Sequence, residues 1–338
     1  MQFEFTDPQT ELERLLGGYF CINAFGRVDP GDDAKFKEFI EKSGPPPRTP
    51  VFIDSIGGDV EAAIGIGRVI RECWFSTHIG SCHLSYDDTS GHILKRQYLS
   101  GRCMSAATLI FLGGRLRYVD NDPQFGVHRF SFRDPTPDHL ASSQVLSAKI
   151  ASYVVDMGIS PEFLEVSSSI EKDQIRLLDA EELHRLKIAT GGQTDVTWST
   201  QSRSDMLYVR GERDSLYGHH KVMLGFTRRA GFFFWAVVEA QGREEELTTF
   251  PLVEIVVNEE DTKFDVSETS VRFVEGIYVN VFANLTQEQA REVAHSDSFG
   301  VQIRMSHDAP VFLGVGPMNT SDGKEQLESF FATLCDSS

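Results

Sequence analysis

The stretch from residue 50 to residue 72 constrains the fold more than any other part of the sequence. A short apolar run, Pro50 to Asp54, leads through Gly57-Gly58 into Val60 to Glu72, where apolar side chains recur at helical spacing. Such a run is typical of a strand buried in a parallel sheet. Glycine permits positive φ, and a helix N-terminus favours negative charge. The segment is therefore either a plain strand–turn–helix connection or part of an oxyanion hole.

Strand and helix signals alternate through the rest of the first half of the chain. They comprise a strand at Tyr19–Phe25, a helix at Asp32–Lys42, an apolar helix at Ser105–Leu112, a strand at Phe125–Phe130 and a helix at His139–Met157. Repeated β-α-β units of this kind predict an α/β domain.

The chain has 338 residues, which favours two domains, and its pattern changes at Thr190–Gln193, the best linker candidate. Beyond this point come two helices, one starting at Thr286 and one at Lys324, and strand-like runs at Met206–Arg210, Lys221–Phe226, Gly231–Glu239, Leu252–Val257 and Gly276–Phe282. We therefore expect an α/β domain at residues 1–190 and a β-rich α+β module of unknown role at residues 195–338.

Charge and hydropathy narrow the classes of partner. The net charge of −18 and the pI of about 5.0 argue against nucleic acid or an anionic membrane as the main partner. No basic and then apolar leader opens the sequence, and the densest apolar run, residues 230–238, is too short to span a bilayer. We expect a cytoplasmic protein, or a periplasmic one if an exported chain has lost its leader.

The cysteines and histidines give no metal signature. The five cysteines are widely spread and form no Cys-x-x-Cys pair, which argues against a zinc site or a disulfide framework but leaves a Cys82–Cys103 bridge open. His219 and His220 are adjacent on a predicted strand, so their side chains point to opposite faces and do not share a metal. We expect no metal and no cofactor.

Two residues are candidates for nucleophilic chemistry. Ser105 opens an apolar helix, where a serine either caps the helix or acts as a nucleophile beside unpaired N–H groups such as that of Ala106. His128 lies in a short apolar strand, where a histidine is either a half-buried core residue or a base near neutral pH. Neither residue decides the matter alone.

The order of these segments resembles the proteolytic subunit of the Clp proteases, in the Clp protease/crotonase superfamily. Ser55-Ile56-Gly57-Gly58 is similar to the family's Ser-Pro-Gly-Gly segment, with Ile56 in place of proline. Residues 103–106 (CMSA), 111–114 (FLGG) and the GVH strand look most like a bacterial, Clp-protease-like group of predicted periplasmic proteins. The resemblance covers about residues 17–190 and implies a β-α-β spiral domain with Ser105 as nucleophile and His128 as base.

The chain departs from that family in two places. The family's catalytic aspartate falls near Ile175 here, so Asp173 is the candidate third residue, while Asp179 is better explained as a helix N-cap. An insertion between the diglycine and Ser105 either covers the substrate groove or forms a polar surface loop, which we favour. That insertion carries Cys82, Asp87, Asp88, His92 and Lys95.

The resemblance implies a serine peptidase that takes a peptide or protein as substrate, with oxyanion donors at Gly58 and Ala106. It also implies a homo-oligomer, in which the helix at His139–Met157 either makes the subunit contact or packs within one subunit. The alternative function is an inactive scaffold or binding protein of the same fold. A crotonase-type acyl-CoA enzyme is a third candidate, but no basic cluster for CoA is evident.

Overall fold

The computed structural model describes residues 1–6, 20–86, 94–129, 139–171 and 173–335 of a mixed α/β chain with several sheets. Two compact units divide it, Met1–Gly192 and Gln193–Ser338. Within the described residues, no helix combines the length and the apolar character that crossing a membrane requires.

The first sheet of the first unit follows the alternation in the sequence. Its strands lie in the order β1 (Gln2–Thr6), β2 (Cys21–Phe25), β3 (Pro50–Asp54) and β4 (Ser76–Ile79). β2, β3 and β4 are parallel, whereas β1 is antiparallel to β2. Helix α1 (Asp32–Ser43) connects β2 with β3, and helix α2 (Val60–Glu72) connects β3 with β4. Apolar side chains of the strands and both helices belong to one core.

The insertion that we expected to be a polar loop is a hairpin instead. β5 (Ser81–Tyr86) pairs antiparallel with β6 (Leu94–Leu99), and Lys95 lies on β6. Asn23 anchors the hairpin, because its side-chain amide donates to the Cys82 carbonyl at 2.8 Å and accepts from the Cys82 N–H at 2.9 Å. Asp87, Asp88 and His92 lie outside the described residues. No disulfide joins Cys82 and Cys103.

Ser105 and His128 directly follow two strands of a three-stranded sheet. β7 (Cys103–Met104) pairs parallel with β8 (Phe125–Val127), and β8 pairs antiparallel with β9 (Arg176–Leu178). The wholly buried helix α3 (Ala106–Leu112) starts directly after Ser105. The unit is completed by three further helices: α4 (His139–Asp156), α5 (Glu162–Ser169) and α6 (Ala180–Arg185).

Helix α4 packs within its own unit along one side. Ile150, Tyr153 and Val154 are buried in the core, whereas Val145 and Val155 are exposed. The Tyr153 hydroxyl donates to the Leu109 carbonyl of α3 at 2.7 Å, which ties the two helices together.

Arg117 is buried without a carboxylate among its described hydrogen-bond partners. Its guanidinium donates to the carbonyls of Gly114 at 2.9 Å, Ile188 at 2.6 Å and Lys187 at 2.8 Å. Burial, together with nearby Arg71, lowers the pKa of Arg117 to about 9. This residue holds the end of α3 against the last residues of the unit.

The second unit is built from two antiparallel sheets. The six-stranded sheet has the order β10 (Thr197–Arg203), β11 (Met206–Ser215), β12 (Gly218–Thr227), β13 (Gly231–Glu239), β17 (Tyr278–Asn284) and β16 (Val271–Glu275). The four-stranded sheet has the order β15 (Thr262–Asp265), β14 (Leu252–Val257), β18 (Ser298–Arg304) and β19 (Leu313–Asn319). The helices are α7 (Glu244–Thr249), α8 (Gln287–His295) and α9 (Lys324–Cys335).

Both sheets of the second unit share one apolar core with α8 and α9. The capping box predicted at Thr286 is present, since its hydroxyl accepts from the Gln289 N–H and the Gln289 side chain accepts from the Thr286 N–H.

Candidate active site

Ser105 occupies a backbone conformation that L-residues rarely adopt, with φ 55° and ψ −127°. Hydrogen bonds on both sides hold it there. The Ser105 N–H donates to the Gly126 carbonyl at 2.8 Å, and the Ser105 carbonyl accepts from the Thr108 N–H at 3.0 Å and the Thr108 hydroxyl at 2.6 Å. The turn between β7 and α3 therefore fixes the direction of the serine side chain.

The Ser105 hydroxyl does not cap the helix that it precedes. Instead, its Oγ lies 2.6 Å from Nε2 of His128, the residue directly after β8. The parallel pairing of β7 with β8 brings the two residues together, because Met104 is paired with Gly126 in that ladder. The structure thus joins the two side chains that the sequence singled out and rules out the capping role for Ser105.

His128 is well suited to accept a proton through Nε2. Burial lowers the pKa of the His128 imidazole below its usual value, and the Arg129 backbone opposes this effect. A lowered pKa keeps the ring neutral near pH 7, which a general base requires. The Nδ1 atom is buried, and no side chain among the described residues binds it.

The third residue expected from the sequence does not complete the pair. Asp173 is exposed, and no described hydrogen bond joins it to His128. Asp179 caps α6, where its carboxylate accepts from the Glu182 N–H at 2.8 Å. The pairing of Val127 with Arg176 makes Ile175 the next residue opposite His128. An isoleucine cannot orient an imidazole, so the prediction that Asp173 fills this role has no support in the geometry.

The diglycine turn packs directly on the backbone around Ser105. A Cβ added to Gly57 would lie 2.8 Å from both Ala106 N and Ser105 Cβ, so a larger residue does not fit there. Gly57 has φ 90° and Gly58 has φ 149°, conformations that favour glycine. This close approach explains why two glycines follow β3.

The backbone of the turn leaves the Gly58 N–H available. The neighbouring Gly57 carbonyl accepts from the Val28 N–H at 3.0 Å, and the Asp59 N–H donates to the Val28 carbonyl at 2.9 Å. Val28 and Gly58 thus form a parallel bridge in which Val28 bonds to the Gly57 carbonyl and the Asp59 N–H. The Gly58 N–H takes no part in these two bonds. Among the described residues, neither Gly58 nor Ala106, the first residue of α3, donates a backbone hydrogen bond through its N–H. These are the two oxyanion donors predicted from the sequence.

Apolar side chains cover Gly126, two residues before the histidine. A Cβ added to Gly126 would clash with Met104 Sδ and lie 2.6 Å from Ile175 Cγ2, so both side chains cover that glycine. Ile56, Ile175 and Leu177 are exposed apolar residues on the segments that frame the site. The sequence identified Ile175 only as the position where the family has its catalytic aspartate. The structure adds that the Ile175 side chain lies against Gly126 of β8.

The Cys103 thiol does not compete with Ser105 as a nucleophile. The Cys103 thiol is buried, and burial, with Asp54 nearby, raises its pKa well above the usual value, which keeps it protonated. Within the described ranges, no three His, Cys, Asp or Glu side chains converge as metal ligands.

Comparison with known proteins adds no identification. Neither the protein-family models nor the curated proteins compared with this sequence give a match.

Proposed function

We propose that the chain is a serine peptidase-like hydrolase in which Ser105 is the nucleophile and His128 the general base. The observation that carries the proposal is the 2.6 Å contact between Ser105 Oγ and His128 Nε2. The backbone of Ser105 is strained and its hydroxyl does not cap the following helix, and we see no other use for this arrangement. The function rests on this local geometry.

The finer fold assignment is part of the same proposal. The isolated parallel bridges Val28–Gly58, Ser55–Cys103 and Thr77–Arg117 link successive β-α units, as expected of a Clp protease/crotonase-like spiral. The first unit would then be a member of that superfamily, closest to its Clp-protease-like bacterial group, and the second a β-rich α+β module with a binding or assembly role.

The chemistry follows from the positions of the two side chains. His128 Nε2 takes the proton of Ser105 as Oγ attacks the carbonyl carbon of a peptide bond. The N–H groups of Gly58 and Ala106 stabilise the tetrahedral oxyanion, each by roughly 3–4 kcal/mol. The C–N bond then breaks, His128 gives its proton to the leaving amine, and water hydrolyses the acyl-enzyme to release the acid and restore Ser105. No cofactor is required.

The site favours substrates with an apolar side chain next to the scissile bond. The exposed Ile175 and Leu177 offer an apolar surface beside Gly126, which precedes His128 by two residues. We expect peptide or protein substrates, taken by a homo-oligomer.

A serine-directed fluorophosphonate probe tests the proposal. It should label the full-length protein at Ser105, as located by peptide mass spectrometry, and the Ser105→Ala variant should not react. Ser43→Ala is the matched control, because the described contact of the Ser43 hydroxyl is a bond to the Phe39 carbonyl of its own helix, away from Ser105. A folded wild-type protein that is not labelled would contradict the proposal.

Among the described residues no carboxylate binds His128 Nδ1, and this favours a second candidate, an inactive scaffold of the same fold. In a scaffold, the biological activity of the Ser105→Ala variant would equal that of the wild type. Loss of both labelling and biological activity in that variant would exclude it.

A further inference from the structure

We propose that Asp32 is a positioning residue for the oxyanion hole. It lies at the start of α1, outside the Ser105–His128 pair, and acts through the loop that holds the Gly58 N–H in place. The inference rests on the proposed peptidase function and names a residue that sets its rate.

Asp32 is a buried carboxylate with specific partners. Its side chain is 8% exposed, and Oδ2 accepts the Asp29 N–H at 2.7 Å. The amino nitrogen of Met1 lies 2.5 Å from the same oxygen, and Lys35 Nζ lies 3.8 Å from Oδ1. A buried carboxylate is tolerated only when such partners satisfy it. The carboxylate therefore fixes the turn from Asp29 to Asp32.

That turn is continuous with the loop that clamps the diglycine. Val28, adjacent to Asp29, is only 1% exposed and bonds to Gly57 and Asp59 through both of its backbone groups. The N–H of Gly26 donates to the Asp54 carbonyl at 3.0 Å, which fixes the other end of the loop. Residues 26–32 thus run beside residues 54–59 and are bonded to them at Gly26 and at Val28.

The orientation of the Gly58 amide depends on this support. Gly58 has no side chain to restrict its backbone, and its φ of 149° is one of many conformations open to glycine. Because a Cβ at Gly58 would clash with the Val28 carbonyl, the two backbones are in close contact. If Asp32 no longer holds Asp29, the Val28 segment loosens and the Gly58 N–H loses its fixed direction.

The Asp32→Ala variant tests this inference in the full-length protein. We would measure the rate constant for fluorophosphonate labelling of Ser105 and the affinity for a peptide boronate, which forms a tetrahedral anionic adduct with serine. Loss of one oxyanion donor costs about 100–1,000-fold, so a loosened donor should cost about 10–100-fold in both measurements. Asp32→Asn retains an acceptor for the Asp29 N–H and should recover most of the loss.

Asp179→Ala is the matched control for a purely structural effect. Its carboxylate also accepts one backbone N–H, but at the start of α6. Measured well below the unfolding temperature, this variant should label and bind boronate at the wild-type level even where its thermal stability is reduced. Hydrogen exchange of residues 55–60 should accelerate in Asp32→Ala and stay unchanged in Asp179→Ala.

The outcomes separate this inference from the proposed function. If wild type is labelled and Asp32→Ala reacts at the same rate, the role of Asp32 is overturned and the proposed function is not. Equal losses in Asp32→Ala and Asp179→Ala would also overturn it, since stability rather than position would then be responsible. A wild type that is not labelled at Ser105 would overturn both proposals.

Discussion

The two units of the molecule treat their buried polar groups differently. In the first unit Arg117 is held by carbonyl oxygens and Asn23 by the Cys82 backbone, while Asp32 pairs with the Met1 amino group. In the second unit, charged side chains pair across neighbouring strands: Arg304 with Glu254, and His219 with Asp214 at 2.9 Å.

The two histidines show what this difference means for chemistry. His219 lies between two carboxylates, with Nδ1 2.9 Å from Asp214 Oδ1 and Nε2 3.7 Å from Glu212 Oε2. His128 has a hydroxyl at Nε2 and no described side-chain partner at Nδ1. Antiparallel register is enough to assemble the first arrangement, since Asp214 is paired with His219. The second requires a strained serine at a strand–helix junction, and it is the one suited to catalysis.

The sharpest test of this contrast exchanges each histidine for alanine. His128→Ala should lower the rate of fluorophosphonate labelling by about 1,000-fold or more, because the general base is lost. His219→Ala should label at the wild-type rate. Comparable losses in both variants, measured by gel fluorescence on folded protein, would remove the distinction between the two histidines.

A second test concerns stability in acid. The His78 ring lies between Phe52 and Tyr118, with ring centroids 4.8 Å and 4.7 Å away, and burial lowers its pKa to about 4. Between pH 6.5 and 4 the unfolded chain therefore binds a proton that the folded chain does not. The contribution of neutral His78 to the free energy of unfolding is fully present above pH 6.5. It decreases as the pH falls and is about 2.5 kcal/mol smaller at pH 4.5.

Urea unfolding at pH 7.5 and 4.5 measures this loss. The His78→Phe variant, which keeps an aromatic ring in the stack, should lose about 2.5 kcal/mol less than wild type between the two pH values. The exposed His83 provides the control, and His83→Phe should behave as wild type. An unchanged pH dependence in His78→Phe would contradict the role of burial.

A third test gives His128 the kind of partner that His219 has. Ile175 follows the β8–β9 register opposite His128 and lies on the same side as the Gly126 contact. Ile175→Asp should place a carboxylate near Nδ1 and raise the labelling rate about tenfold, since a triad aspartate orients and stabilises the imidazolium. Ile175→Asn is the matched neutral control and should not reproduce the gain. A decrease in both variants would mean that the apolar contact matters more.

The smallest expected effect is on the pH profile of labelling. Because burial lowers the pKa of His128, the neutral and active ring should persist below pH 6.5. The labelling rate should therefore fall with acid through a midpoint below that value, and Ile175→Asp should move the midpoint upward because a carboxylate favours the protonated ring. A wild-type midpoint above pH 7 would contradict the direction of the shift.

Local patterns predicted the parts of the fold that depend on neighbouring residues. The bounds of β3 and α2 agree with the apolar run and the helical spacing, and Asp179 and Thr286 cap helices as expected. The order of segments also predicted that Ser105 and His128 would meet. The strand, helix and cap predictions succeeded because each depends on a short-range pattern, whereas the Ser105–His128 pair followed from the family resemblance in the order of the segments.

Features that depend on distant pairing were not predictable. The polar stretch at residues 81–99 forms a hairpin because Asn23, far away in sequence, binds the Cys82 backbone. The strands β10, β15, β16 and β19 were missed, since several have exposed polar residues instead of a clear alternation. The position of Asp173 depends on a loop whose path no periodicity describes, and the support that Asp32 gives to the Val28 loop appears only in three dimensions.

Arg117 joins parts of the chain that are synthesised at different times. Its guanidinium binds the carbonyls of Lys187 and Ile188, 70 and 71 residues further on, as well as that of Gly114 at the end of α3. A ribosome delivers residues in order, so these partners become available only after Ile188 has left the exit tunnel. Arg117 can therefore complete these contacts only after nearly the whole first unit has been synthesised.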